Sequence, residues 1–244
     1  MTKVKVKIYK LTECTETQVG QHFLIKEREA AKAEGIQLLQ FYDYEVREKY
    51  DIVESMISVK EGYVAKRYYA RKLTMKVVPG KEGKTFCDQN HLKGGRIANW
   101  IALCDGEEII GIMGWSAKRR GRGVMKDEVV VKVERFCTLK HVTIAGGYSK
   151  LLKEVMRVGK EKGGDIIENF VDARYGTGDH LANYGFTLRA ETIGWHWSDK
   201  KALHNRLACK ANMDERRLTE KQQAAEWGWE RVYDSKQRAW IKYL

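Results

Sequence analysis

Two apolar runs carry a charged residue that could do chemistry at the C-terminal end of a strand. "VVVKVERF" brings Arg135 to that position, and "IIENFVD" ends on Asp172. Ligands of open α/β sheets gather at the carboxyl ends of strands. An arginine there can hold a phosphate or an acyl carboxylate. An aspartate can orient an attacking amine or take its proton. The plainer alternative is a structural Arg–Asp ion pair. A third group is Asn90-His91 in "QNHLKGG". A histidine that titrates near neutrality can serve as a base, and an asparagine can pair with an adenine edge. Against this, asparagine is also common at helix ends.

The stretch "HVTIAGGYSKLLKEV" puts Gly146 and Gly147 between a β-branched run and a helical pattern of Leu151, Leu152, Val155 and Met156. Two readings stand side by side. The glycines turn the corner, or they let backbone N–H groups close on an anion. A helix N-terminus carries unpaired N–H groups and a partial positive charge, which suits a phosphate. Ser149 and Lys150 open that helix.

The 244 residues include 45 Lys and Arg against 33 Asp and Glu, a formal net charge of +12. That imbalance points to a polyanionic partner, with nucleic acid first. The strand-like segment 66–78 interleaves aromatics with Arg67 and Arg71, and "KRRGRGVMK" (118–126) reads as a flexible basic loop. Lys118, Arg119, Arg120 and Arg122 can grip phosphates there, and Arg174 and His180 flank the glycine turn "YGTGDH". A solvated, solubilising surface is the alternative for each. Trp195 and Trp197 read as core first and as a stacking surface for a flipped base second. The five cysteines form no C-x-x-C pair, so neither a metal site nor a disulfide framework is expected. Reduced thiols imply a cytoplasmic setting. No apolar run is long enough to span a membrane.

These groups need elements to position them. The patterns predict strands at 3–9, 36–42, 66–78, 127–139, 165–172 and 187–197. They predict helices at 20–34, 44–60, 146–163 and, in short form, 177–186, with another between Pro79 and Gly94. Asp105-Gly106 between apolar runs predicts a hairpin over 99–117. A helix after Thr219 leads into an aromatic strand pair at the C-terminus. The expected organisation is an N-terminal α/β extension (1–80), a core (81–200) and a C-terminal α+β addition (201–244).

"VERFCTL", "IAGGYSKLL" and "LANYGF" follow one another in an order that resembles the GNAT acyltransferase fold, over roughly the last two-thirds of the chain. The resemblance implies an α/β fold of the α+β type with a mixed sheet, carrying extensions at both ends. It also implies acetyl-CoA, or another acyl-CoA, as cofactor. The pantetheine arm would follow Phe136, Cys137, Thr138 and Leu139. The pyrophosphate would lie on Ala145, Gly146, Gly147, Tyr148, Ser149 and Lys150. The segments "NHLKG", "RF", "GGYSKLL" and "DAR" before a glycine turn are similar to a narrower group. That group is a bacteriophage GNAT-like domain found behind endonuclease modules, together with the Mom-type enzymes that modify adenine in DNA.

This narrower resemblance implies transfer of an acyl-derived group to a base amine in DNA, protecting it from restriction in the host cytoplasm. Asp172, Arg135 and His91 would act at the reacting centre. Asn90, Arg67, Arg71, Lys118, Arg119, Arg120, Arg122 and Arg174 would hold DNA. Two other readings stay open. One is a non-catalytic DNA-recognition module, favoured by Tyr148 and Leu181, where the family has a small residue and a tyrosine. The other is a GNAT enzyme acting on a protein or small molecule.

Overall fold

A computed structural model describes residues 3–96, 98–120, 126–205, 208–209 and 218–244. In chain order, the first elements are β1 (Lys3–Tyr9), α1 (Glu16–Val19), α2 (Phe23–Ala33), β2 (Ile36–Tyr42), α3 (Asp43–Glu48) and α4 (Tyr50–Glu61). Then come β3 (Lys66–Tyr69), β4 (Thr74–Val78), α5 (Gly80–Asn90), β5 (Asn99–Asp105), β6 (Glu108–Arg119) and β7 (Val129–Thr138). The next are β8 (Val142–Ala145), α6 (Gly147–Glu161), β9 (Ile166–Asp172) and β10 (Thr187–Ser198). The last are β11 (Leu203–His204), α7 (Glu220–Glu226) and β12 (Glu230–Tyr243). The fold is mixed α/β with a mostly antiparallel sheet. Among the described residues no helix is long and apolar enough to cross a membrane.

The chain divides into two compact units. One holds residues up to Glu48, 172–177 and 191–238; the other holds 49–171, 178–190 and 239–244. This differs from three consecutive segments. Residues 49–80 join the second unit, and 191–200 join the first. Strands β10 and β12 contribute residues to both.

In the second unit the strands run in the order β9-β7-β6-β5-β4. The β5–β6 hairpin forms as expected, with Gly106 at φ +61° supplying the turn. Helix α6 buries Leu151, Leu152 and Val155 in a cluster with Ile101, Leu103, Met113 and Ile167. Those spacings are the apolar stripe that predicts the helix. On the opposite face, Trp100 packs with Phe86, Cys87 and Cys137. A Cβ on Gly83 would sit 2.3 Å from the Trp100 ring, and one on Gly114 2.6 Å. Both glycines are therefore required by the indole.

Three expectations are corrected. The single strand 66–78 is two strands, with a 3-10 turn at Ala70–Lys72 between them. β3 pairs in parallel with β8, while β4 pairs antiparallel with β5. The helix at 44–60 is two helices, α3 and α4, parted at Lys49. The C-terminal strand pair is one 14-residue strand, β12.

In the first unit β1 and β2 pair in parallel, and α2 buries Leu24, Ile25 and Ala31. Tyr9, Leu11, Cys14, Leu24, Tyr42 and Val232 form its apolar cluster. A Thr219–Gln222 capping box starts α7 where Thr219 predicts it.

Candidate functional site

β7 is paired on both sides for only half its length. It runs parallel to β9 from Val130↔Ile166 to Val133↔Asn169, and there that pairing ends. Beyond it, Arg135–Thr138 stay paired with β6 alone among the registers of these strands. At the same place Gly114 opposes Arg135 and Trp115 opposes Val133, so Glu134 is the extra residue of a β-bulge. A bulge bends its strand and sharpens its twist, which fits two strands parting at this point. Beyond this point the interval between β7 and β9, here called the opening, carries no pairing between the two strands.

α6 starts in the same unit. Gly146 adopts φ +75° just before it, and a Cβ there would meet only Ala70 Cβ at 3.8 Å and Ser149 Oγ at 3.9 Å. Gly147 is different, because its missing Cβ would lie 2.8 Å from Ile144. Both glycines thus have a steric part in the strand-to-helix corner, and Gly146 also leaves its surroundings open. Ser149 donates its hydroxyl to the Gly146 carbonyl. The Lys150 ammonium caps the 3-10 turn by donating to Ala70 O (2.9 Å) and Leu73 O (2.8 Å).

Tyr148 lies across the opening. Its ring meets Phe136 of β7 edge-on at 5.1 Å, with His180 and Tyr184 each at 5.9 Å. Asn169, the last residue of β9 that pairs with β7, donates to its hydroxyl. Burial pushes the phenol's pKa well up, and Tyr184 adds to the shift. Of the expected cofactor wall, Phe136 shares this cluster. Cys137 packs toward α5, and Thr138 donates its hydroxyl to Val142 O. Leu139 is packed among apolar neighbours, and Ala145 ends β8 opposite Tyr69.

The expected reacting groups fall in different units. Arg135 belongs to the second unit, where its Nε donates to Gly94 O (2.8 Å) and its Nη1 to Glu134 O. Asp172 belongs to the first unit and is ion-paired with Arg174 at 3.2 Å. The ion pair that Asp172 makes is thus with Arg174, two residues on, rather than with the Arg135 named in the structural alternative. His91 accepts the Lys93 N–H at Nδ1, so its proton sits on Nε2. Burial, helped by Arg135 and two lysines, lowers its pKa to about 3. The ring is therefore neutral near pH 7 and a weak proton acceptor.

Two expected DNA contacts are corrected. Arg174 is fully buried. Its guanidinium meets Glu45 at 3.0 and 3.2 Å and Asp234 at 2.7 Å, besides Asp172, with Tyr42 and Tyr175 stacked near it. Burial alone would lower its pKa; Asp172 and Asp234 more than offset this and keep it charged. Asn90 spends its amide on Phe86 O and its carbonyl on Lys140 N–H, which removes the bidentate face an adenine needs.

Of the basic loop, Lys118 and Arg119 are exposed but lie in strand β6, paired with Val130 and Val129. Arg120 is held by the fully buried Glu168 at 2.7 Å, which also binds Arg189. Arg122 lies outside the described residues. Arg67 and Arg71 are exposed, and Arg71 sits over the Tyr69 ring. Sequence reasoning passed over Glu134, the bulge residue. Its carboxylate accepts from Ser116 at 2.7 Å and faces Arg96 at 3.4 Å and Lys132 at 3.7 Å. A carboxylate inside the apolar run "VVVKVERF" was the available signal.

No family model matches this chain, and no curated protein sequence matches it. Several solved structures are similar to it. An IAA acetyltransferase from Bacillus cereus is 12% identical with a TM-score of 0.39, over 70% of this chain and 99% of that one. An acetyltransferase from Bacillus subtilis in complex with CoA is 14% identical with a TM-score of 0.39, over 71% and 99%. A GNAT-family acetyltransferase from Streptococcus pneumoniae is 13% identical with a TM-score of 0.42, over 70% and 99%.

Proposed function

We propose that this protein is a GNAT-type N-acyltransferase that takes its acyl group from acyl-CoA and passes it to an amine of a DNA base. One observation carries the reading. β7 and β9 part at a bulge, in the same unit as the N-terminus of α6, the helix that follows β8. The free edge of β7 from Arg135 to Thr138 offers N–H and C=O groups that a pantetheine arm can pair with. The first N–H groups of α6, at Gly147, Tyr148 and Ser149, are the unpaired donors that suit a pyrophosphate. Gly146 leaves room for one.

The backbone therefore fits the cofactor, and one side chain must give way: Tyr148 has to turn out of the opening. When bound, acyl-CoA supplies a thioester whose carbonyl carbon an amine can attack. Glu134, at the bend, is the carboxylate best placed to take the amine's proton. Arg135 fixes the 91–96 segment through Gly94 and is a positioning residue. Lys118, Arg119, Arg67 and Arg71 supply exposed positive charge for DNA, in keeping with the net charge of +12. A base inside a duplex must leave the stack to be acylated.

The test is direct. Duplex and single-stranded DNA are incubated with the protein and acetyl-CoA, digested to nucleosides and weighed by mass spectrometry. An acylated nucleoside that disappears with Glu134→Gln supports the reading. Unmodified DNA with all common acyl-CoAs, in the presence of tight DNA binding, favours the recognition module instead. Tyr148 in the opening is the observation behind that second reading.

A further inference from the structure

The thiols of Cys87 and Cys137 take no part in the chemistry above, yet they are placed as a pair. Cys87 is on α5 and Cys137 on β7, and their sulfurs are 3.9 Å apart. Cys87 is fully buried and Cys137 is 8% exposed. They come from elements 50 residues apart, so their meeting is a product of the fold. Cys137 lies on the half of β7 beyond its pairing with β9, the part of the strand with least support. The Gly94 carbonyl accepts from Arg135 Nε at 2.8 Å and faces Cys87 Sγ at 3.7 Å, which brings a guanidinium to the thiols.

We infer that Cys87 and Cys137 are a peroxide-sensitive thiol pair that closes to a reversible disulfide, tying α5 to the free half of β7. A disulfide needs its sulfurs about 2.0 Å apart, so the pair must close by about 1.9 Å. Cys137 donates its S–H to Cys87, which lowers the Cys87 pKa; burial opposes this and Arg135 assists it. Thiolate character governs reactivity, so Cys87 is the first nucleophile.

The chemistry balances with hydrogen peroxide as the oxidant. The Cys87 thiolate attacks one peroxide oxygen, the O–O bond breaks, and a sulfenic acid and hydroxide result. The hydroxide takes the Cys137 proton. The Cys137 sulfur then attacks the sulfenic sulfur, an S–S bond forms, and a second hydroxide leaves and is protonated to water. The two sulfurs lose two electrons and the peroxide gains them. A dithiol reverses the step by exchange. The inference rests on the thiols alone and does not need the acyl-CoA reading.

The test uses the whole chain, treated with hydrogen peroxide, alkylated, digested without reductant and analysed by mass spectrometry. The expected result is one linked peptide joining Cys87 and Cys137, with Cys14, Cys104 and Cys209 still alkylated. Dithiothreitol should return both thiols. Cys137→Ala should abolish the link, and Cys104→Ala should leave it intact. A link through Cys104, or sulfinic acid at Cys87 with no link, would overturn the inference. So would both cysteines remaining alkylated at peroxide levels that oxidise an exposed thiol. The wild-type peptide map decides the matter even where a variant folds poorly.

Discussion

Tyr148 of α6 and Asn169 of β9 are hydrogen-bonded across the gap where β7 and β9 part. The bond joins α6, the helix that follows β8, to the last residue of β9 that pairs with β7. It puts an aromatic ring on the path proposed above for an acyl-CoA arm. Removing the ring should therefore ease binding while loosening the fold. Tyr148→Ala is expected to bind acetyl-CoA about tenfold more tightly, a gain of roughly 1.4 kcal/mol. Its unfolding midpoint should fall, since Asn169 loses its partner and Phe136 loses a neighbour. Calorimetric titration and a melting curve check both. Weaker binding by Tyr148→Ala than by the wild type would make Tyr148 a contact rather than an obstruction.

Arg174 is expected to hold the first unit together rather than touch DNA. Arg174→Met leaves Glu45, Asp172 and Asp234 without their shared counter-charge. Breaking such a buried network costs about 3–5 kcal/mol. Denaturant unfolding should show that loss. At a temperature where the variant is still folded, the salt dependence of its DNA binding should match the wild type. A loss of salt slope with unchanged stability would restore the surface reading.

Lys118 and Arg119 carry the opposite expectation. Both are exposed on β6, so changing both to alanine should leave the melting temperature nearly unchanged. If each neutralises one phosphate, the slope of log affinity against log salt should shrink by roughly two. A DNA-binding salt series checks this, and an unaltered slope would move the DNA face elsewhere.

His91 gives a pH signature. Its folded pKa, about 3, lies below the ordinary histidine value of 6.5. The unfolded chain therefore binds a proton that the folded chain refuses between those values. The stability from this group is present above pH 6.5 and is lost as pH falls toward 3. The slope approaches one proton, up to about 1.4 kcal/mol per pH unit. His91→Asn should flatten the curve of unfolding free energy against pH in that window relative to wild type. Parallel curves for the two proteins would contradict the half-buried, neutral ring.

Local signals made much of this fold legible. Asp105-Gly106 announced the hairpin, the 151/152/155 stripe announced α6, and Thr219 announced α7. What the sequence hid was set by partners that side-chain patterns do not show. The run 66–78 reads as one strand because nothing in it shows that Lys150 will cap Ala70 and Leu73, or that β3 will pair with β8. Arg174 reads as a surface cation because its three carboxylates arrive from α3, β9 and β12. Asn90 and His91 read as chemistry because their backbone partners, Lys140 and Lys93, are invisible to side-chain patterns. Glu134 was visible, but its role at a bulge depends on the register with β6.

The first measurement is the unfolding midpoint of wild type and Tyr148→Ala with and without millimolar acetyl-CoA. A ligand at about 100 times its dissociation constant adds roughly 2.7 kcal/mol to stability. An upward shift in both proteins, larger in Tyr148→Ala and absent when Gly146 is replaced by a bulky residue, is the predicted result. No shift in either protein with any acyl-CoA would contradict cofactor binding between β7 and β9.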